Sequence, residues 1–310
     1  MKMMCYNMCS DEYYEKEGLE SVMKKIIVFL MIVIGVFLTG CQDNKLSDGK
    51  TDIEKQEKSV MQGDNKILLS NMSDEMSIKE VSAVLNKYLN DKSVKSFIAG
   101  VTQYNEAVEN LGLTGAFENK EQPEYNVSEL ERLWASKHSN FIGTDCRINT
   151  FMLLKNDIKV HKGTIDDALL FMDNDAIRAG NIFDRKETEQ FKQLFSRVKT
   201  KNTKDINIHY KKMKEHFSKI KFNKNAEMIS VVLNDNLDGE YLFIGHVGVL
   251  IKNNGKYLFI EKLSFQEPFQ AIKFKHKEDC YKYLFSKYKN YSDETEAKPF
   301  IMNNDKLIQM

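Results

Sequence analysis

The dipeptide Asn254-Gly255 constrains this chain more than any other feature. It stands between two long β-rich runs, Tyr241–Ile251 and Lys256–Phe265. Asn-Gly suits a two-residue type I′ turn, whose two central positions need positive φ and whose twist matches that of paired strands. Such a turn pairs Asn253 with Lys256, and the rest of the register follows: Gly248 faces Glu261, and His246 faces Leu263. Side chains two apart share a sheet face, so His246 and Glu261 become diagonal neighbours, about 7–8 Å apart at the backbone and within reach of each other. Gly248 has no side chain and leaves Glu261 room to lean toward the imidazole.

Two more strand-like runs flank the hairpin, Met228–Leu233 and Phe269–Phe274. A helix with Tyr281, Leu284, Phe285 and Tyr288 on its apolar face follows, and Pro299–Ile308 reads as a last strand. Upstream, residues 66–220 are helical in pattern. Ser77/Glu80 and Ser128/Glu131 each match a capping box ahead of an apolar stripe. Further stripes run through Phe191, Leu194, Phe195 and Val198, and through Ile206, Tyr210, Met213, Phe217 and Ile220. The lone Trp134 reads as core. Helices first and an antiparallel sheet afterwards define an α+β class, in one domain spanning residues 66–310.

The front of the chain has a different logic. Lys24 and Lys25 precede an apolar run, Ile26–Thr39, that closes on Leu38-Thr39-Gly40-Cys41. Positive charge, a short apolar stretch and small residues form the order of an export signal, and the run is shorter than the roughly 20 residues of a membrane span. Gly40-Cys41 resembles a lipobox, so Cys41 is the expected lipidation site. Residues 1–22 carry a net charge of −3 ahead of that signal, which reads as a start-site overcall with translation beginning at Met23. Residues 23–40 are then the signal peptide and 41–65 a polar flexible tether. The leader removes four basic and five acidic side chains from a balanced 45 and 45, leaving the processed chain within one charge of neutral. Neither nucleic acid nor an acidic lipid surface is indicated as a partner; the expected membrane contact is the lipid on Cys41.

Cys146 carries the chemistry that the sequence offers. Ile148, Phe151 and Met152 follow it at helical spacing, so the thiol falls at a helix start, where the positive end of the helix favours a thiolate. A nucleophilic thiol also needs a base and a group to orient that base; His246 and Glu261 are the candidates. Other readings stay open. Cys146 and Cys280 could form a disulfide, His246 could be a satisfied core histidine, and Glu261 could pair near Lys262 or with Arg147. The remaining histidines lack metal-ligand spacing, and no phosphate loop or dinucleotide fingerprint is present, so no cofactor is expected.

Gly245-His246-Val247-Gly248-Val249-Leu250 resembles the histidine strand of the NlpC-type cell-wall cysteine peptidases, relatives of papain. The resemblance implies a papain-like scaffold with Cys146, His246 and Glu261 in the order nucleophile, base, orienting group. Asn140, six residues before the cysteine, matches the place of an oxyanion-stabilising amide. Glu261 departs from the family's usual third residue, and the helical insertion between Cys146 and His246 is long for a compact NlpC domain. Leu69-Ser70-Asn71, Cys146-Arg147-Ile148, Ile244–Leu250 and Phe259–Pro268 resemble the bacterial lipoproteins of domain-of-unknown-function family 4300 over about residues 67–310. That resemblance implies a lipoprotein and no activity.

The expectation is a membrane-anchored extracytoplasmic lipoprotein bearing a thiol hydrolase for cell-wall peptides or amides. The alternative is a non-catalytic binding lipoprotein on the same fold.

Overall fold

The computed structural model describes residues 67–120, 122–138 and 141–310. The signal segment, Cys41, the tether and Asn140 lie outside the described residues.

The frame is an antiparallel sheet, nine-stranded among the described residues. Its spatial order is β11 (Lys306–Leu307), β10 (Phe300–Asn303), β6 (Ala226–Asp235), β7 (Tyr241–Asn253), β8 (Lys256–Lys262), β9 (Phe269–Phe274), β1 (Leu68–Ser70) and β2 (Glu118–Asn119). The two-residue β4 (Val198–Lys199) pairs with the start of β7. A separate ribbon joins β3 (Lys159–Val160) to β5 (Ile220–Lys221). This is an α+β fold.

The β7–β8 turn is the one that Asn-Gly favours: Asn254 and Gly255 have φ of 50° and 78°. Pairing runs from Asn253↔Lys256 to Val249↔Ile260, the register of a two-residue turn. Beyond Val249 and Ile260 the two strands no longer pair, while β8 continues beside β9 through Glu261↔Gln270 and Lys262↔Phe269.

Each sheet face buries its own core, because strand side chains alternate. Leu242, Ile244, Val247, Val249 and Ile251 of β7 face the larger core. That core is closed by α1 (Glu75–Leu85), α2 (Asp91–Ala107), α3 (Val127–Lys137), α4 (Cys146–Leu154), α5 (Phe171–Gly180), α6 (Arg185–Phe195) and α7 (Ile206–Phe217). Ile229, Val231, Leu250, Phe259, Ile272 and Ile301 face a smaller core under α8 (Lys277–Tyr288). The alternation along β7 breaks once. Val232 pairs with Ile244 but Val231 pairs with His246, so Gly245 is an extra residue, a β-bulge. The bulge puts Ile244 and Val247 on the same side, while His246 keeps the side of Leu250, facing Val231 and α8.

Local signals marked α1, α3, α4, α6, α7 and α8, gave no separate stripe for α2 or α5, and missed two caps. Asp74, not Ser77, caps α1, accepting from Ser77 N at 2.9 Å. Asn126, not Ser128, caps α3. In both cases an Asx side chain lies upstream of the serine and reaches the free N–H of the first turn, a bond worth about 1 kcal/mol. Val198 and Ile220, counted in helical stripes, belong to β4 and β5. The expected last strand is a two-strand hairpin, turned at Asn304 with φ 51°. β1 was not foreseen, since three residues are too few to show an alternation.

Candidate functional site

Asp145 starts α4. Its extended backbone and its carboxylate, accepting from Ile148 N at 2.9 Å, make Cys146 the first helical residue. One turn along the same face, the Thr150 hydroxyl donates to the Val247 carbonyl at 3.3 Å. Arg147 donates to the Ile244 carbonyl at 3.2 Å. The helix start is thus fastened to β7 on both sides of the bulge, where β7 and β8 part.

Cys146 is buried, 5% exposed as a residue. Burial pushes its pKa well up, and the Asp145 carboxylate adds to this. Arg147 and the Val247 backbone pull the other way without overcoming it. The depressed thiol expected from a helix start is therefore not what this environment produces. The helix end is real, but loss of water costs the thiolate more than the end returns. Cys146 and Cys280 are both free thiols, in the larger and the smaller core respectively.

His246 and Glu261 meet on the face under α8. The imidazole Nε2 lies 2.5 Å from Glu261 Oε2, with both side chains buried. Burial alone would raise the Glu261 carboxyl, but the Lys287 ammonium, the His246 bond and the Tyr283 hydroxyl hold it down to about 2. An ionised carboxylate can only accept, so the shared proton belongs to Nε2, which leaves Nδ1 as the nitrogen that can exchange a proton. Gly248 opens space differently from what the turn argument suggested. A Cβ there would run into the Phe259 ring and stand 2.6 Å from the Ile260 carbonyl, so the room is taken by Phe259 rather than by Glu261.

Cys146 and His246 reach β7 from opposite sides. Among the described residues no hydrogen bond joins thiol to imidazole. They are linked through one residue, Val247, which follows His246 and whose backbone the thiol contacts.

The family model described as a domain of unknown function, DUF4300, matches residues 68–308. The chain belongs to this family. No curated protein and no solved structure matches it.

Within the DUF4300 domain, several site-forming residues carried no recognised sequence signal. Tyr283 of α8 donates to Glu261 Oε1 at 2.7 Å, and Tyr288 stacks on His246 with centroids 5.0 Å apart and planes 22° from parallel. The helical stripe counted Tyr288 as packing and left Tyr283 out; the hint was that a buried tyrosine hydroxyl requires a partner. Arg147 does not pair with Glu261. It binds Asp173 through two bonds of 2.9 and 2.8 Å and lies 3.2 Å from Asp145. Burial and Asp145 push Asp173 up to about 7 against the pull of Arg147. Lys262 points into the larger core with its ammonium bonded to the carbonyls of Ser264, Phe265 and Glu267, 4.0 Å from the centroid of the Tyr104 ring. Its burial pulls it down to about 7. Trp134 is buried and donates to the Phe141 carbonyl.

Proposed function

We propose that this DUF4300 chain is an extracytoplasmic lipoprotein, anchored through a lipid on Cys41, whose domain is a papain-like thiol hydrolase acting on peptides or amides of the cell wall. The observation that carries the reading is the use of the His246 nitrogens. Nε2 is committed to Glu261, and Nδ1 is left as the base, one residue from the strand position that Cys146 contacts.

The burial of Cys146 makes this a general-base mechanism rather than one with a standing thiolate. The Cys146 sulfur attacks an amide carbonyl as its proton passes to His246 Nδ1. The tetrahedral adduct collapses, the C–N bond breaks, and the proton on Nδ1 goes to the departing amine. Water, deprotonated by the same nitrogen, then cleaves the thioester. Glu261 holds the imidazole orientation and offsets its transient positive charge. A closed thiol requires movement about Val247 before attack.

A second reading is a non-catalytic binding lipoprotein. The nearly sealed, protonated thiol with no bond to the imidazole favours it. Alkylation of the folded protein separates the two. The hydrolase reading expects iodoacetamide to label Cys146 in a manner that His246→Ala suppresses. Labelling absent in the folded chain, or indifferent to His246, supports the binding reading.

A further inference from the structure

The Glu261 carboxylate has two oxygens in a buried place, and one donor is not enough to orient it. The terminal torsion of a glutamate is broad, so a single bond from His246 fixes one oxygen and leaves the plane free to turn. The second oxygen, Oε1, receives the Tyr283 hydroxyl at 2.7 Å, within the smaller core. That hydroxyl has a competing acceptor, Gln270 Oε1, at 3.2 Å. Gln270 is in turn held in place: it sits opposite Glu261 in the β8–β9 pair, and its amide donates to the Tyr125 hydroxyl at 2.9 Å. Asn71 donates to the same Tyr125 oxygen at 2.8 Å and to the Phe269 carbonyl at 2.8 Å. A chain of side chains from the residue after β1, the loop before α3, β9 and α8 therefore ends on the carboxylate of β8. It gives the Leu69-Ser70-Asn71 segment a place at the far end of the site. Filling this space with apolar side chains would avoid the desolvation of a buried charge. The polar chain instead surrounds one imidazole–carboxylate pair.

We propose that Tyr283 is a positioning residue for the His246–Glu261 pair: its hydroxyl pins the carboxylate plane, so that Glu261 meets Nε2–H in one orientation and Nδ1 stays presented as the base. This rests on the hydrolase reading for its purpose but not for its test. Tyr288, five residues on in the same helix, closes the other side of the imidazole.

The test uses the mature full-length lipoprotein labelled with ¹⁵N-histidine, compared with Tyr283→Phe, which keeps the ring and removes only the hydroxyl. In the parent, the His246 Nε2–H should give a resolved signal protected from water, with one tautomer. In Tyr283→Phe that signal should broaden or vanish through exchange, and Cys146 alkylation should slow about tenfold, less than the roughly 10²-fold that a full 1 Å misplacement can cost. The variant in a His246→Ala background should slow alkylation no further. If Tyr283→Phe melts at a lower temperature but leaves the Nε2–H signal and tautomer unchanged, the tyrosine is only structural and the proposal falls. Should the imidazole signal respond while alkylation ignores both Tyr283→Phe and His246→Ala, positioning stands and the hydrolase reading fails. If Tyr283→Phe does not fold, site-specific 3-fluorotyrosine in place of Tyr283 keeps the shape and strengthens the donor. It should move the Nε2–H signal upfield, because the carboxylate becomes a weaker acceptor; an unmoved signal overturns the proposal.

Discussion

Thr150 donates its hydroxyl to the carbonyl of Val247 at 3.3 Å, and this contact fixes the distance between the Cys146 turn and the His246 strand position. Cys146 lies one turn earlier on the same helical face, and His246 is the residue before Val247. Thr150→Val keeps the shape and removes the bond. It should lower Cys146 alkylation without changing His246–Glu261 pairing. His246→Ala should lower alkylation much further, on the order of 10²-fold if the imidazole acts as general base. Equal, small effects from both substitutions would argue that neither group works on the thiol.

The Glu261 carboxyl gives a pH signature of known sign. Its folded pKa is depressed to about 2, against roughly 4.3 for an unfolded chain. The stability it contributes is therefore complete above about pH 5 and is lost as pH falls through 4 toward 2. Glu261→Gln should be less stable than the parent at pH 7 by on the order of 2–3 kcal/mol, and the gap should close on acidification. Urea titrations at several pH values measure it. A gap that stays constant down to pH 2 would show that the carboxylate is not held as described.

Lys262 predicts a second rise of stability with pH, on the alkaline side. Its folded pKa of about 7 lies below the unfolded value of about 10.4, so the unfolded chain binds more protons between those values. Stability should rise with pH across that window in the parent, and Lys262→Met should lack the rise. The substitution also removes the donor that gathers the Ser264, Phe265 and Glu267 carbonyls. Amide exchange over residues 263–268 should quicken, and unchanged exchange there would refute the anchoring role.

Gly248 has no room for a methyl group. With the Phe259 ring and the Ile260 carbonyl at the Cβ position, Gly248→Ala should cost about 1–3 kcal/mol as an overpacked site. A Gly248→Ala protein as stable as the parent by denaturant titration would contradict the hairpin packing.

Cys41→Ala should abolish incorporation of radioactive palmitate and leave the protein as precursor or released from membranes. The motive is the Leu38–Cys41 sequence after a short apolar run. Lipid incorporation that survives the substitution would end the lipoprotein reading.

Much of the site was legible because its determinants are local. Asn254-Gly255 dictates its own turn, the turn dictates the β7–β8 register, and the register places His246 and Glu261 on one face. Asp145 ahead of an apolar helical stripe sets the start of α4 at Cys146 by the same kind of short-range bond. What lay outside this reach depends on partners distant in sequence. The extra residue at Gly245 exists only relative to β6, so no pattern within β7 announces it, yet it decides that Ile244 and Leu242 share the side of Val247 instead of that of His246. The burial that raises the Cys146 thiol comes from the packed larger core, not from the helix end that the sequence shows. Tyr288 looks like any member of an apolar stripe, and Tyr283 falls outside that stripe, until α8 is laid across the sheet. Local hydrogen bonds and turn sterics are written in neighbouring residues; faces, desolvation and the second donor on a carboxylate are set only when remote segments pack.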